Sequence, residues 1–300
     1  MNIFSFLRRR KPIPEPWAKY YTKEELNIKI PDISMYDQVK KSAHLYPNYI
    51  AYEYMGKKCL YKDFIEEINE WAKVFHSSGV KHGDIVTISL PNIPNVLVVL
   101  YALNKMGAIA NMVHPLSSEE EILFSLNSTK SKYLVMLNTF YNKIENVIGK
   151  SSVDAVIFAS AADYMPIYMK LFYNLSQIGK YKKYPKNNMY YSWKKFYKKY
   201  YVTNHIKFPK FCKDTPAVII HSGGTSGTPK NVVIQNRAFI LGALQENILM
   251  KNLHAGDCCL AIMPNFHGFG LSVLMHTPLA LGCYSILIPQ FDAKKFDIMF

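Results

Sequence analysis

Ala217-Val218-Ile219-Ile220-His221-Ser222-Gly223-Gly224-Thr225-Ser226-Gly227-Thr228-Pro229-Lys230-Asn231-Val232-Val233-Ile234 sets two β-branched runs on either side of a turn rich in glycine and hydroxyl groups. The runs at 217–220 and 231–234 predict buried strands. The nine residues 222–230 between them predict a loop held open for a ligand. Its three glycines accept positive φ and allow close approach to the backbone. Consecutive N–H groups then converge on one point and form a nest for an anion. Ser222, Thr225 and Ser226 add hydroxyl donors and Lys230 adds a full positive charge. Such donors suit phosphate oxygens, because charge-assisted bonds are about twice as strong as neutral ones. A Walker A loop is excluded, since Pro229 precedes Lys230 and Asn231 follows it. A dinucleotide fingerprint is excluded too, because Gly223-Gly224-x-x-Gly227 leads into a strand and not a helix. An ordinary surface loop is the bland reading, and nine consecutive residues of this chemistry outweigh it.

Outward from this loop, strands and helices alternate. A helix pattern at 35–46 precedes a strand pair at 50–55 and 58–61 turning at Gly56. Phe64, Ile65, Ile68, Trp71, Ala72 and Phe75 recur at helical spacing over 61–76. Strands are predicted at 85–90, 108–113, 133–137 and 155–158. Helices are predicted at 96–106 and after Ser117-Ser118, where Glu119, Glu120 and Glu121 suit the helix dipole. Beyond the loop come a helix at 237–250, a strand at 258–263, a helix at 271–281, a strand at 283–288 and a helix entered at 293–300. This order predicts an α/β fold with largely parallel sheets. Pro264-Asn265-Phe266-His267-Gly268-Phe269-Gly270 follows a strand end, which is where α/β sheets place ligand sites. A lone histidine is more often structural than catalytic, and His276 is read as an ordinary helix residue.

Residues 222–230 resemble the signature loop of the adenylate-forming superfamily, which includes acyl-CoA synthetases, peptide-synthetase adenylation domains and luciferases. That loop reads roughly S/T-S/G-G-S/T-T-G-x-P-K-G. Ser226 stands where threonine is usual and keeps the hydroxyl. Asn231 stands where glycine is usual, and its tolerance of the left-handed region predicts that the turn after Lys230 is kept. Gly79-Val80, Gly83-Asp84, Leu90-Pro91-Asn92, Gly107-Ala108 and Pro115 fall in the order usual for the family, and 264–270 resembles its P-x-x-H-x-x-G motif. The resemblance implies stacked, largely parallel sheets with helices: the large N-terminal domain of such enzymes, truncated. Residues 1–35, basic, proline-rich and weakly periodic, read as an extended N-terminal arm, and the resemblance implies an incomplete AMP-binding domain over 36–300, with the C-terminal domain absent.

The implied reaction joins a carboxylic acid, of the fatty acid class, to ATP as an acyl-adenylate and then to a thiol, commonly coenzyme A. By the resemblance, Ser222, Gly223, Gly224, Thr225, Ser226, Gly227, Thr228 and Lys230 bind the ATP phosphates. Lys230 and His267 are the catalytic candidates, and Phe266, His267, Gly268 and Gly270 line the acyl and carboxylate pocket. Mg2+ would bridge phosphates without a dedicated protein site. The adenine- and ribose-binding residues and the adenylation lysine would lie beyond Phe300, supplied by more of this chain or by another chain. Alone, the chain is expected to bind nucleotide weakly without turnover.

An apolar fraction of 49% with 19% charged residues describes a globular chain and excludes disorder. Five scattered cysteines without CxxC spacing predict reduced thiols in the cytoplasm. Residues 258–291 hold no Asp, Glu, Lys or Arg, but Pro264, Pro278 and Pro289 argue for buried strand and helix over a membrane span. Most of the net charge of +14 lies in 164–213, which holds twelve lysines, ten tyrosines and no acidic residue. A solvated surface insertion is the first reading of that block. Peripheral contact with an anionic membrane is the second. Single-stranded nucleic acid is the third, with no RNA- or DNA-binding signature to support a specific site. A basic binding module or a non-catalytic nucleotide-binding remnant therefore stands beside the ligase reading.

Overall fold

A computed structural model of the chain describes residues 15–222, 229–292 and 294. The chain divides into two compact units, Met1–Ile30 and Pro31–Phe300. In the first, the extended arm expected from sequence is partly helical. Thr22 and Glu25 form a reciprocal capping box that starts α1 (Lys23–Leu26).

The second unit begins at α2 (Met35–Leu45), capped by Ser34 and Asp37 in the same way. There follow β1 (Ile50–Tyr54), β2 (Lys57–Leu60), α3 (Tyr61–Ser77), β3 (Ile85–Ser89), α4 (Pro94–Met106), β4 (Ile109–Met112), α5 (Glu119–Thr129), β5 (Tyr133–Leu137) and β6 (Ala155–Ala159). Then come α6 (Ile167–Ser176), β7 (Tyr190–Ser192), α7 (Trp193–Tyr200), β8 (Pro216–Ser222), β9 (Lys230–Gln235), α8 (Asn236–Leu249), β10 (Cys258–Ala261), α9 (Gly268–Leu271), α10 (Thr277–Leu281) and β11 (Tyr284–Leu287). The sequence-derived elements recur within a few residues of their expected ends, where they fall on described residues. The helix expected at 293–300 lies outside them.

Two sheets organise the unit. One runs β7-β6-β5-β3-β4-β8-β9, and every neighbouring pair except β8–β9 is parallel. The other runs β10-β11-β1-β2, with only the β1–β2 hairpin antiparallel. That hairpin turns on Met55 and Gly56, both at positive φ, the pair of left-handed residues that a two-residue hairpin turn requires. Helix α4 is buried on nearly every side and touches both α3 and β4, while α3 reaches β1, so helices fill the layer between the sheets.

Side-chain alternation gives the larger sheet two cores. Tyr133, Val135 and Leu137 of β5 join Ala155, Ile157 and Ala159 of β6 in the core shared with α3 and α4. Leu134, Met136, Val156 and Phe158 face the opposite way and meet Ile122 and Leu126 of α5. Strands buried on both faces explain the near-continuous apolar runs in the sequence.

Two findings go beyond the sequence reading. The Lys/Tyr-rich block supplies an edge strand of the main sheet, and Trp193 stacks on Trp71 with ring centroids 3.7 Å apart. Tyr164, Tyr173, Tyr184, Tyr190, Tyr191, Tyr197 and Tyr200 pack against the cores, while Tyr168, Tyr181, Tyr201 and most of the lysines face solvent. The single helix expected at 271–281 starts earlier, at Gly268, and widens into a π-helical turn over Ser272–His276. Pro278 lies one turn further on, without an N–H to donate, and a wider turn spares its ring a clash with the preceding carbonyls. His276 is helical as expected. It is fully buried between the Tyr101 hydroxyl, 3.0 Å from Nδ1, and Gln38, 3.1 Å from Nε2, and burial pushes its pKa down to about 3.

Candidate active site

The parallel strands β4 and β8 end side by side, and a cavity of about 180 Å³ opens at their C-terminal ends. Ser222 and Pro229, the two stems of the signature loop, line it together with His114, His221, Phe266 and His267. The two stems of the loop thus share one cavity with Phe266 and His267, more than thirty residues further along the chain. Gly223, Gly224, Thr225, Ser226, Gly227 and Thr228 lie outside the described residues. Lys230 opens β9 directly opposite Ser222 and is exposed, so its ammonium is not tied into the interior.

The stems are anchored from below. His221 Nε2 lies 2.7 Å from Asn111 Oδ1 on β4 and 3.0 Å from Ser125 Oγ on α5. Asn111 in turn donates to Thr87 at 2.8 Å and to Ser125 at 2.9 Å, and Thr129 and Ser131 complete a buried network. On the other stem, Asn231 Nδ2 donates to Ser128 Oγ at 3.0 Å. Both stems therefore fasten to one face of α5 through residues three apart. Asn231 does not adopt the left-handed turn expected for it. It already pairs with His221 in the β8–β9 ladder, and its side chain holds α5. Burial pushes the His221 pKa below its ordinary value, against a hydrogen bond to Asn231 that raises it.

Across the cavity, the Phe266 ring sits 4.2 Å from His114 and 4.7 Å from His267. Burial lowers the His114 pKa, and the neighbouring His267 and Lys143 lower it further. Leu116 N–H donates to His114 Nδ1 at 2.8 Å, which fixes that ring with its other nitrogen as the proton carrier. Gly268 and Gly270 do not line the cavity. Gly270 answers to packing: a Cβ there would sit 2.1 Å from the Pro264 carbonyl oxygen and 2.6 Å from that of Met263. A Cβ on Gly268 would meet nothing within 4 Å. Gly270→Ala is expected to cost at least about 2 kcal/mol of stability by displacing the backbone under His267. Gly268→Ala should stay within about 0.5 kcal/mol of wild type in the same urea unfolding experiment.

Sequence reasoning missed His114 and His221. Each stands at a strand end beside a motif residue, Pro115 or Ser222, and that position was the available signal. Asn111 gave no signal, because a polar residue in mid-strand declares itself only through its partners.

A family model described as AMP-binding enzyme matches residues 39–300. The chain is 27% identical over 285 residues to a long-chain-fatty-acid–CoA ligase of Bacillus subtilis, covering 93% of this chain and 50% of that one. It is 23% identical over 249 residues to 4-coumarate–CoA ligase 4 of Arabidopsis thaliana, covering 79% and 39%. A long-chain-fatty-acid–CoA ligase of Archaeoglobus fulgidus shares the fold at a TM-score of 0.71 and 19% identity, over 89% of this chain and 49% of that one. An anthranilate CoA ligase solved with anthranoyl-AMP does so at 0.72 and 16%, over 92% and 48%. The chain spans about half the length of these relatives, or less. With that match over most of its residues, and with the loop and histidine motifs meeting at one cavity, the chain belongs to the AMP-binding enzyme family.

Proposed function

We propose that this protein activates a carboxylic acid, most suitably a fatty acid. The carboxylate attacks the α-phosphorus of ATP, pyrophosphate leaves, and the acyl-adenylate passes its acyl group to the thiol of coenzyme A with release of AMP. Bringing a carboxylate to a triphosphate sets like charges together, and donors aimed at that charge are worth several kcal/mol. In this reading Ser222, Gly223, Gly224, Thr225, Ser226, Gly227, Thr228 and Lys230 hold the β- and γ-phosphates. Phe266 and His267 receive the carboxylate end of the acid, on a turn whose backbone packing requires Gly270. The observation that carries the reading is that Ser222, Pro229, Phe266 and His267 line one cavity.

Among the described residues no group of three His, Cys, Asp or Glu could hold an ion. Glu121, the carboxylate among the lining residues, is bound to the Ser118 N–H at 2.9 Å as a helix cap. Magnesium would therefore arrive on the triphosphate, as suits an ion that prefers substrate oxygens.

ATP–pyrophosphate exchange with a panel of fatty acids tests the reading. The 300-residue chain alone is expected to show no sustained exchange. A chain extended to the length of its relatives should show acid-dependent exchange that Lys230→Ala lowers on the order of 100-fold. Exchange indifferent to the acid supplied, or to Lys230, would count against the ligase assignment.

A further inference from the structure

Helix α6 turns its apolar face away from the protein. Ile167, Tyr168, Leu171, Phe172 and Leu175 are 61–79% exposed, and Ile178 just beyond the helix is 73% exposed. At about 100° per residue the five helical positions fall within an arc of roughly 140°. Met169 and Tyr173, on the other side of the helix, pack against the core and hold it in place. So much contiguous apolar surface on one helix marks an interaction site.

The surroundings of this face are cationic. Lys180, Lys182, Lys183 and Lys186 follow the helix and are exposed, and residues 164–213 hold no acidic side chain. Lys182, Lys183, Lys186 and Lys195 line a cavity of about 450 Å³ whose wall includes Tyr173 of the helix and Gln177 just after it. Lys182 is drawn to Glu145 at 2.6 Å, and its three neighbours have no carboxylate within ion-pair distance among the described residues.

We propose that α6 docks on an anionic phospholipid surface. Ile167, Leu171, Phe172, Leu175 and Ile178 would enter the boundary between headgroups and acyl chains, with Lys180, Lys183 and Lys186 against lipid phosphates. An apolar face beside a lysine belt is the composition of an interfacial helix. A second copy of the chain fits less well, since a self-contact on this face would set lysines against lysines. Nucleic acid would meet the lysines, but the aliphatic Ile167, Leu171, Leu175 and Ile178 have no π-face on which to stack a base. The inference stands independently of the acyl-transfer reading.

Co-sedimentation of the 300-residue chain with vesicles tests it. The protein should partition onto phosphatidylglycerol-rich vesicles, hardly at all onto pure phosphatidylcholine, and less as salt rises. The double variant Leu171→Ser/Phe172→Ser and the triple variant Lys180→Gln/Lys183→Gln/Lys186→Gln should each lower partitioning on the order of 100-fold. All five side chains face solvent, so the thermal melt followed by circular dichroism should not move. The proposal is overturned by no binding to anionic vesicles, or by equal binding to neutral ones. It is overturned equally if the double variant abolishes self-association or oligonucleotide binding in a chain that ignores vesicles.

Discussion

Asn92→Ala is expected to destabilise the second unit by about 4 kcal/mol, the largest loss from any single truncation in the vicinity of the site. Asn92 follows β3 of the main sheet and is almost fully buried. Its amide nitrogen donates to the carbonyls of Ala261 at 2.8 Å and Met263 at 2.9 Å, at and just beyond the end of β10. Its Oδ1 accepts from Asn265 N at 3.0 Å and from Asn265 Nδ2 at 3.0 Å. Asn265 in turn donates to the Leu90 carbonyl at 2.8 Å. The two asparagines are thus a bolt between the ends of the two sheets.

Truncation to alanine leaves two carbonyls and two N–H groups without these partners in a dry place. Each such group costs about 1–3 kcal/mol, partly relieved if water enters. Asn92→Asp should do no better, since a carboxylate would face both carbonyl oxygens and carry a buried charge. Urea unfolding of the two variants against wild type measures this, and a loss below about 1 kcal/mol for Asn92→Ala would show that the bolt is not needed. Because Asn265 leads into His267, the same variant should also widen the spread of the candidate site.

How much of this was legible in the sequence follows from what each feature depends on. The apolar runs at 85–89, 133–137 and 217–220 announce buried strands, because apolar patterning is local. The phosphate chemistry proposed for the Ser222–Lys230 loop is local as well, since nine neighbouring residues would carry it. Asn92 and Asn265 were visible as motif residues, but their pairing is set by the meeting of two sheets and by no local rule. Strand order is equally non-local: β8 returns across the sheet to pair with β4 after more than a hundred residues. Strand β7 escaped notice because lysine and tyrosine dominate its segment, and a short edge strand needs little apolar sequence. The helical run from Gly268 to Leu281 was read one turn short because Gly268 and Gly270 look like loop residues. Gly270 is there for the close approach of the Met263 and Pro264 carbonyls.

The central claim is that the turn between β8 and β9 grips the phosphate tail of ATP, and ATP binding to the 300-residue chain tests it most directly. Lys230 is exposed at the root of the loop, and the stems are pinned to α5 through His221 and Asn231. A charge-assisted bond from that lysine contributes about 1.5–3 kcal/mol. Lys230→Ala should therefore weaken ATP on the order of 10- to 100-fold by titration calorimetry, with the thermal melt unchanged because the side chain is exposed. Pyrophosphate should compete with ATP and adenosine should not, since this loop would hold phosphates and the base would be held elsewhere. Saturable ATP binding displaced by pyrophosphate and dependent on Lys230 is the predicted result. Binding displaced by adenosine alone, or unchanged in Lys230→Ala, would contradict it.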